Sequence, residues 1–137
     1  MFKLFFQNNN TVKSILIRNS PNVKTGCIYE VPCADCDKRY LGQSGKELSV
    51  RIKQHKYCIR TANSSSAIFL HMSQEDHRIN WLSSKELIFC NDFTKRNIIE
   101  SSFIKWNCEK IMNVSPGMYK LDSYLVSRIV KQFNFCK

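Results

Sequence analysis

The chain predicts a small α+β domain, a three-stranded antiparallel sheet flanked by helices. Three observations point there. Two short strand-like stretches are separated by a tight polar turn, a third such stretch follows later, and apolar residues recur at helical spacing in the segments between and after them. That pattern gives the sheet one face covered by helices.

The elements follow in order. Cys27 to Val31 is rich in strand formers and is stopped by Pro32. The turn Ala34-Asp35-Cys36-Asp37 leads into a second strand around Arg39-Tyr40-Leu41, and together they read as a hairpin with an enlarged loop. A helix is expected next, with Ser44 as N-cap and Glu47 as its capping-box partner. Leu48, Ile52 and Ile59 supply its apolar face, and it runs to about Arg60. A shorter helix over 66–74 carries His71. Lys85 to Cys90 reads as the third strand, Thr94 to Trp106 as a helix with Ile99, Phe103 and Trp106 on one side, and Tyr124 to Phe133 as a last amphipathic stretch beyond Ser115-Pro116-Gly117. The organisation expected is a linker-like lead-in over 1–25, the domain proper over 26–120, and a C-terminal segment, 121–137, with no assigned role.

At 137 residues, with 43% hydrophobic and 23% charged residues, the chain has the length and composition of one folded domain and not of a disordered tract. The 21 Lys and Arg against 11 Asp and Glu give a net charge of +10. Such an excess favours a polyanionic partner, because neutralising phosphates releases counterions; a basic protein without one is the plainer alternative. The seven cysteines are an odd number without the dense spacing of a secreted disulfide framework. The apolar start Met1-Phe2-Lys3-Leu4-Phe5-Phe6 is too short for a signal-peptide core or a membrane span. A reducing, intracellular setting without a membrane partner is expected.

Cys33-Ala34-Asp35-Cys36 puts two thiols in one turn, where both can face a single tetrahedral zinc. His71 and His77, at zinc-finger histidine spacing, can complete the shell. Redox-active or merely packed cysteines are the competing readings. Arg51 and His55 stand at i and i+4 on one helix face. Phosphodiester cleavage needs a cation beside the phosphate and a group that passes or orients a proton, which this pair offers. Lys53, Lys56 and Arg60 make the same helix basic, so a solvated cationic face explains the pair as well. Glu100 falls near the border of an apolar helix face, where a carboxylate can hold Mg²⁺ with water and phosphate filling the other positions, or can simply pair with a Lys or Arg.

Taken together, Cys27-Ile28-Tyr29, Tyr40-Leu41-Gly42, Arg51, His55 and Glu100 stand in an order that resembles the GIY-YIG nuclease superfamily. The string Ile28-Tyr29-Glu30-Val31-Pro32-Cys33-Ala34-Asp35-Cys36-Asp37-Lys38-Arg39-Tyr40-Leu41-Gly42-Gln43-Ser44 is similar to the endonuclease module of Penelope-like retroelements, which carries a Cys pair between the two Tyr motifs and two His further on. The phrase His77-Arg78-Ile79-Asn80-Trp81 also resembles that subgroup, and Asn113 is matched to its Asn in the turn after the Glu helix. The likeness spans residues 8–119, and residues 9–16 resemble the linker that joins these nucleases to a reverse transcriptase. Cys27 stands where the superfamily has Gly and Leu41 where it has Ile; neither change removes a reactive group. The tail after Lys120 matches nothing in the family.

The resemblance implies a GIY-YIG-like fold with an embedded Cys₂His₂ zinc site and a metal-dependent DNA nickase, either the target-nicking module of such an element or a gene derived from one, working in the nucleus. Glu100 would hold a catalytic Mg²⁺ or Mn²⁺, Arg51 would stabilise transition-state charge, and Tyr29 would orient or deprotonate the attacking water. Tyr40 and His55 would complete the hydrogen-bond network, and Lys53, Lys56, Arg60 and Asn113 would meet DNA. An ordinary tyrosine pKa is near ~10, so a Tyr29 base requires depression by Arg51 or the metal. The zinc of Cys33, Cys36, His71 and His77 would be structural, since four protein ligands leave no open position. A reverse transcriptase domain or chain is the expected protein partner. Two other classes stand beside this one: a catalytically inert nucleic-acid-binding zinc module of the same fold, and a repair or restriction enzyme of the superfamily, against which the internal Cys pair argues.

Overall fold

The computed structural model describes residues 25–135; the lead-in expected over 1–25 lies, but for its last residue, outside them. Among the described residues the order is β1 (Cys27–Pro32), β2 (Arg39–Ser44), α1 (Leu48–Arg60), α2 (Ala67–Glu75), a 3₁₀ turn (Trp81–Ser83), β3 (Lys85–Phe89), α3 (Phe93–Trp106) and α4 (Ser123–Gln132). The three strands form an antiparallel sheet in the order β2-β1-β3. The chain is therefore an α+β domain with four helices in the described part.

The central strand is buried along its length, and both sheet faces are covered rather than the one expected. Cys27, Tyr29, Val31 and Cys33 enter a core with Ile68, Ile79 and Met112, packed by Leu48 and Ile52 of α1 and Met72 of α2. Ile28 and Leu41 enter the opposite core with Ile99, Phe103 and Ile104 of α3 and Val126 and Val130 of α4. The reason is period-two alternation, which puts Cys27, Tyr29 and Val31 on one side of the strand and Ile28 on the other, so that each side takes a helix layer. The helix for which the sequence assigned no role thus closes one core, with Asp122 capping it through the amide of Leu125 at 2.8 Å. No helix among the described residues is long and apolar enough to cross a membrane.

One cap differs from expectation. Ser44 ends β2 instead of opening α1; its hydroxyl accepts from the Lys46 amide at 3.0 Å, and Glu47 precedes the helix without a side-chain cap. Ser66 and Asp92 do cap α2 and α3, accepting from Phe69 at 3.3 Å and Lys95 at 2.8 Å.

The outer edge of β2 is sealed, as an edge strand requires. Arg39 exchanges backbone bonds with Lys110 and Met112. The Asn113 side chain accepts from the Leu41 amide at 2.9 Å and donates to its carbonyl at 2.6 Å, while Glu100 takes the Gln43 amide. These contacts draw α3 and the segment after it against the strand that bears Tyr40.

Candidate functional site

Two clusters of reactive side chains flank the hairpin. The first is a group of four side chains that could hold a metal ion. Cys33 ends the β1 side of the hairpin and Cys36 sits in its turn, while His71 lies on α2. Asp76 takes a left-handed conformation, φ 54°, at the end of α2, turning the chain back so that His77 faces His71. The Cys33 Sγ lies 3.3 Å and the Cys36 Sγ 3.6 Å from Nε2 of His71, and Nδ1 of His77 lies 3.3 Å from the same atom. All four ligand atoms fall within 4.8 Å of one another.

With bonds of about 2.3 Å to sulfur and about 2.0 Å to nitrogen, a tetrahedral zinc keeps its ligand atoms roughly 3.3–3.8 Å apart. The three separations from Nε2 of His71 fall in that range, and the donor set is consistent with such an ion. Burial, reinforced by the charge of His77, holds the His71 imidazole below its ordinary pKa, favouring the neutral form that ligates metal. Outside the shell, the Asp35 carboxylate accepts from the Arg78 amide at 2.7 Å and its guanidinium at 2.8 and 3.3 Å, bolting the two ligand-bearing segments together. Those Arg78 hydrogen bonds keep Asp35 low, at about 2. This clamp escaped the sequence reading, because nothing local links positions 35 and 78.

The second cluster gathers Tyr29 of β1, Tyr40 of β2, Arg51 and His55 of α1, and Glu100 of α3. Gly42 makes room for it: a Cβ there would stand 2.6 Å from Cζ and Oη of Tyr29 and 2.8 Å from the Tyr40 ring. Tyr29 is opposite Gly42 in the β1–β2 register, so its ring lies across the glycine beside Tyr40, centroids 6.2 Å apart. Arg51 donates from Nε to the Tyr29 oxygen at 3.1 Å and from Nη1 to Gln54 at 2.8 Å. The Tyr29 hydroxyl lies 2.8 Å from Nε2 of His55, whose ring meets that of Tyr40 edge-on at 5.1 Å.

Burial sets the electrostatics. It drives His55 down to about 4, helped by the Arg51 charge, so the imidazole is neutral at neutral pH. With Arg51 donating to the Tyr29 oxygen, we assign the Tyr29 proton to the bond with Nε2 of His55. Burial, then the neighbouring Tyr40, raises the Tyr29 pKa despite Arg51, which reverses the depression that a tyrosine base was expected to need. Burial also raises Tyr40, with the Glu100 charge adding to it, and lifts Glu100 itself to about 7.

A cleft of about 720 Å³ opens on this cluster. Tyr40, Arg51, His55 and Glu100 border it, together with the start of α2 and the loop from Asn113 to Met118. Tyr29 does not border it; its side chain is fully buried behind the other four. Glu100 is half-buried in the wall of the cleft, with the Gln43 amide and the Arg51 charge acting on its carboxylate.

The remaining expected DNA contacts are dispersed. Lys53, Lys56 and Arg60 are exposed along α1, the last two over the rings of Trp81 and Tyr57, each at 5.4 Å. Lys53 borders a shallow groove that adjoins the cleft through Arg51 and Cys58. Asn113 borders the cleft with both ends of its amide engaged by Leu41, so it acts as a strand-edge cap. Gln43 and Gln54, which hold Glu100 and Arg51, were missed by the sequence reading; a lone Gln carries no spacing signal.

Comparison with protein-family models, with curated proteins and with solved structures returned no match.

Proposed function

We propose that this chain is a metal-dependent DNA endonuclease of the GIY-YIG type that nicks one strand by phosphodiester hydrolysis. In its cellular setting it is the nicking module of a Penelope-like retroelement, or of a gene derived from one, acting in the nucleus on DNA beside a reverse transcriptase. The observation that carries the reading is the convergence of Tyr40, Arg51, His55 and Glu100, from three elements, on one cleft, with Tyr29 bonded to Arg51 and His55 behind them. The +10 charge supports a nucleic-acid partner.

In this mechanism the scissile phosphate enters the cleft against Arg51, whose guanidinium stabilises the charge gathering on the phosphoryl oxygens. Tyr40, on the wall, orients the attacking water. Tyr29 stands behind it, holding Arg51 in position and directing proton movement toward the neutral His55. The P–O bond to water forms as the bond to the leaving deoxyribose oxygen breaks; the water gives a proton to the tyrosine–histidine network and the leaving oxygen takes one from solvent. A Mg²⁺ or Mn²⁺ held by Glu100 would supply Lewis-acid polarisation of the phosphate. A zinc held by Cys33, Cys36, His71 and His77 would fix the hairpin against α2 and thereby the cleft.

The test is nicking of supercoiled plasmid in Mg²⁺ or Mn²⁺, with and without EDTA. Conversion to open circles that needs the divalent ion and is lost in Glu100→Ala is the expected result. Plasmid that stays supercoiled with folded, zinc-loaded protein in both metals would overturn the reading. One observation favours a second reading, an inert zinc module that binds nucleic acid: Tyr29 is sealed from the cleft with its pKa raised. Under it DNA is bound and never cut.

A further inference from the structure

The loop from Asn113 to Tyr119 is tied at both ends to neighbours of the clustered residues. At its start the Asn113 amide is bonded to Leu41, next to Tyr40. At its end the Tyr119 amide donates to Oγ of Ser101 at 3.1 Å, next to Glu100. Between them Gly117, at φ 91°, rides so closely over α3 that a Cβ would stand 2.5 Å from Oγ and 2.9 Å from Cα of Ser101. The Ser101 hydroxyl is itself fixed, donating to the Asn97 carbonyl at 2.8 Å. The loop is thus clamped onto the strand and the helix that build the cleft.

What it presents is apolar. Val114 is 73% and Met118 60% exposed, and both border the cleft with Arg51, His55 and Glu100. Val114 also borders a second hollow, of about 550 Å³, on the far side of the loop, so it stands on a ridge between two depressions. From Asn113 to Tyr119 the loop holds no Lys or Arg, although the chain carries 21. Such a surface offers phosphate no counter-charge, and exposed valine and methionine side chains gain by leaving water. On a cleft that receives a DNA strand, the apolar surfaces within reach are the base faces.

We infer that Val114 and Met118 form a wedge that enters the base step beside the scissile phosphate and unstacks it. This rests on the nuclease reading of the same cleft. Apolar wedges opening a base step are a recurrent way of kinking duplex DNA, and the cost of unstacking is offset because the bent duplex lies against more of the protein surface. A clamped loop suits the task because little ordering is left to be done on binding. Opening the step frees the phosphate to swing toward Arg51 and Glu100. It also sets a preference for easily unstacked pyrimidine–purine steps.

The test compares wild type with the double variant Val114→Ser, Met118→Ser, both substitutions lying on exposed positions. Nicking is measured on a paired duplex and on the same duplex with a mismatch beside the cut, where unstacking is already done. Short duplexes carrying 2-aminopurine in turn along one strand report unstacking on binding alone. The expected result is a loss at least about tenfold greater on paired than on mismatched DNA, with a 2-aminopurine rise in the wild type that the variant lacks. Equal losses on both duplexes, or no rise with the wild type, would overturn the wedge while leaving the nuclease intact. A rise without nicking by the wild type would overturn the nuclease reading and keep the wedge.

Discussion

The Tyr29 hydroxyl lies 2.8 Å from Nε2 of His55 and receives the Arg51 Nε–H at 3.1 Å, so one buried oxygen couples the cation of the cleft to its neutral imidazole. This pairing separates two roles that tyrosine hydroxyls could play. Tyr29→Phe keeps the ring packed beside Tyr40 and removes only the link, and we expect nicking to fall by about 10²-fold, the scale of lost proton-transfer assistance. Tyr40→Phe should fall as far, and Arg51→Ala further, each with little loss of DNA affinity. Wild-type rates in single-turnover assays for both Phe variants would remove the tyrosines from the mechanism.

Glu100 gives a pH prediction with a definite sign. Its pKa is about 7 in the folded chain against 4.5 ordinarily, because burial penalises the anion. Between those values the folded protein keeps a proton that the unfolded chain releases, so stability declines as pH rises through the window and levels off above about 7. Glu100→Gln lacks this penalty. It should melt a few degrees above wild type at pH 8 without divalent ions, and at the same temperature at pH 4.5. Mg²⁺ should raise the wild-type melting temperature at pH 8 and leave the variant unmoved. A variant no more stable at high pH would contradict the assignment of Glu100 as a strained carboxylate.

His55 acts in the opposite direction. Its pKa is about 4 in the folded chain against 6.5 ordinarily, so it contributes stability that is full above 6.5 and lost as pH falls toward 4. In His55→Gln, melting temperatures measured by calorimetry should lose that share of the acid sensitivity.

Zinc should be present at about one per chain. Cys36→Ser should lose the metal and melt markedly lower, since metal binding and folding are linked. A folded wild-type sample shown by elemental analysis to carry no metal would sink the site.

Binding to DNA should weaken steeply with salt, and Lys53→Ala should reduce the slope of log affinity against log salt by about 1, as for one phosphate contact. Affinity that hardly moved between low and physiological salt would return the +10 charge to solubility alone.

Local information in the sequence determined the parts that depend on neighbours along the chain. Strand formers around a polar turn marked the hairpin, the later helices were placed within a residue or two while the start of α1 was set too early, and the paired thiols marked a turn that could hold a metal. Ser44, expected to cap α1, does not, because the pairing of β2 with β1 carried the strand through it. Tertiary structure alone decided that both sheet faces are covered, since a strand's alternation does not say which helix lies over which face. It alone sealed Tyr29 behind Tyr40, because burial depends on what packs over a side chain rather than on its own identity. Contacts such as Arg78 on Asp35, Asn113 on Leu41 and Ser101 beneath Gly117 join residues far apart in the chain. They form only when the layers meet, and no spacing in a sequence encodes that.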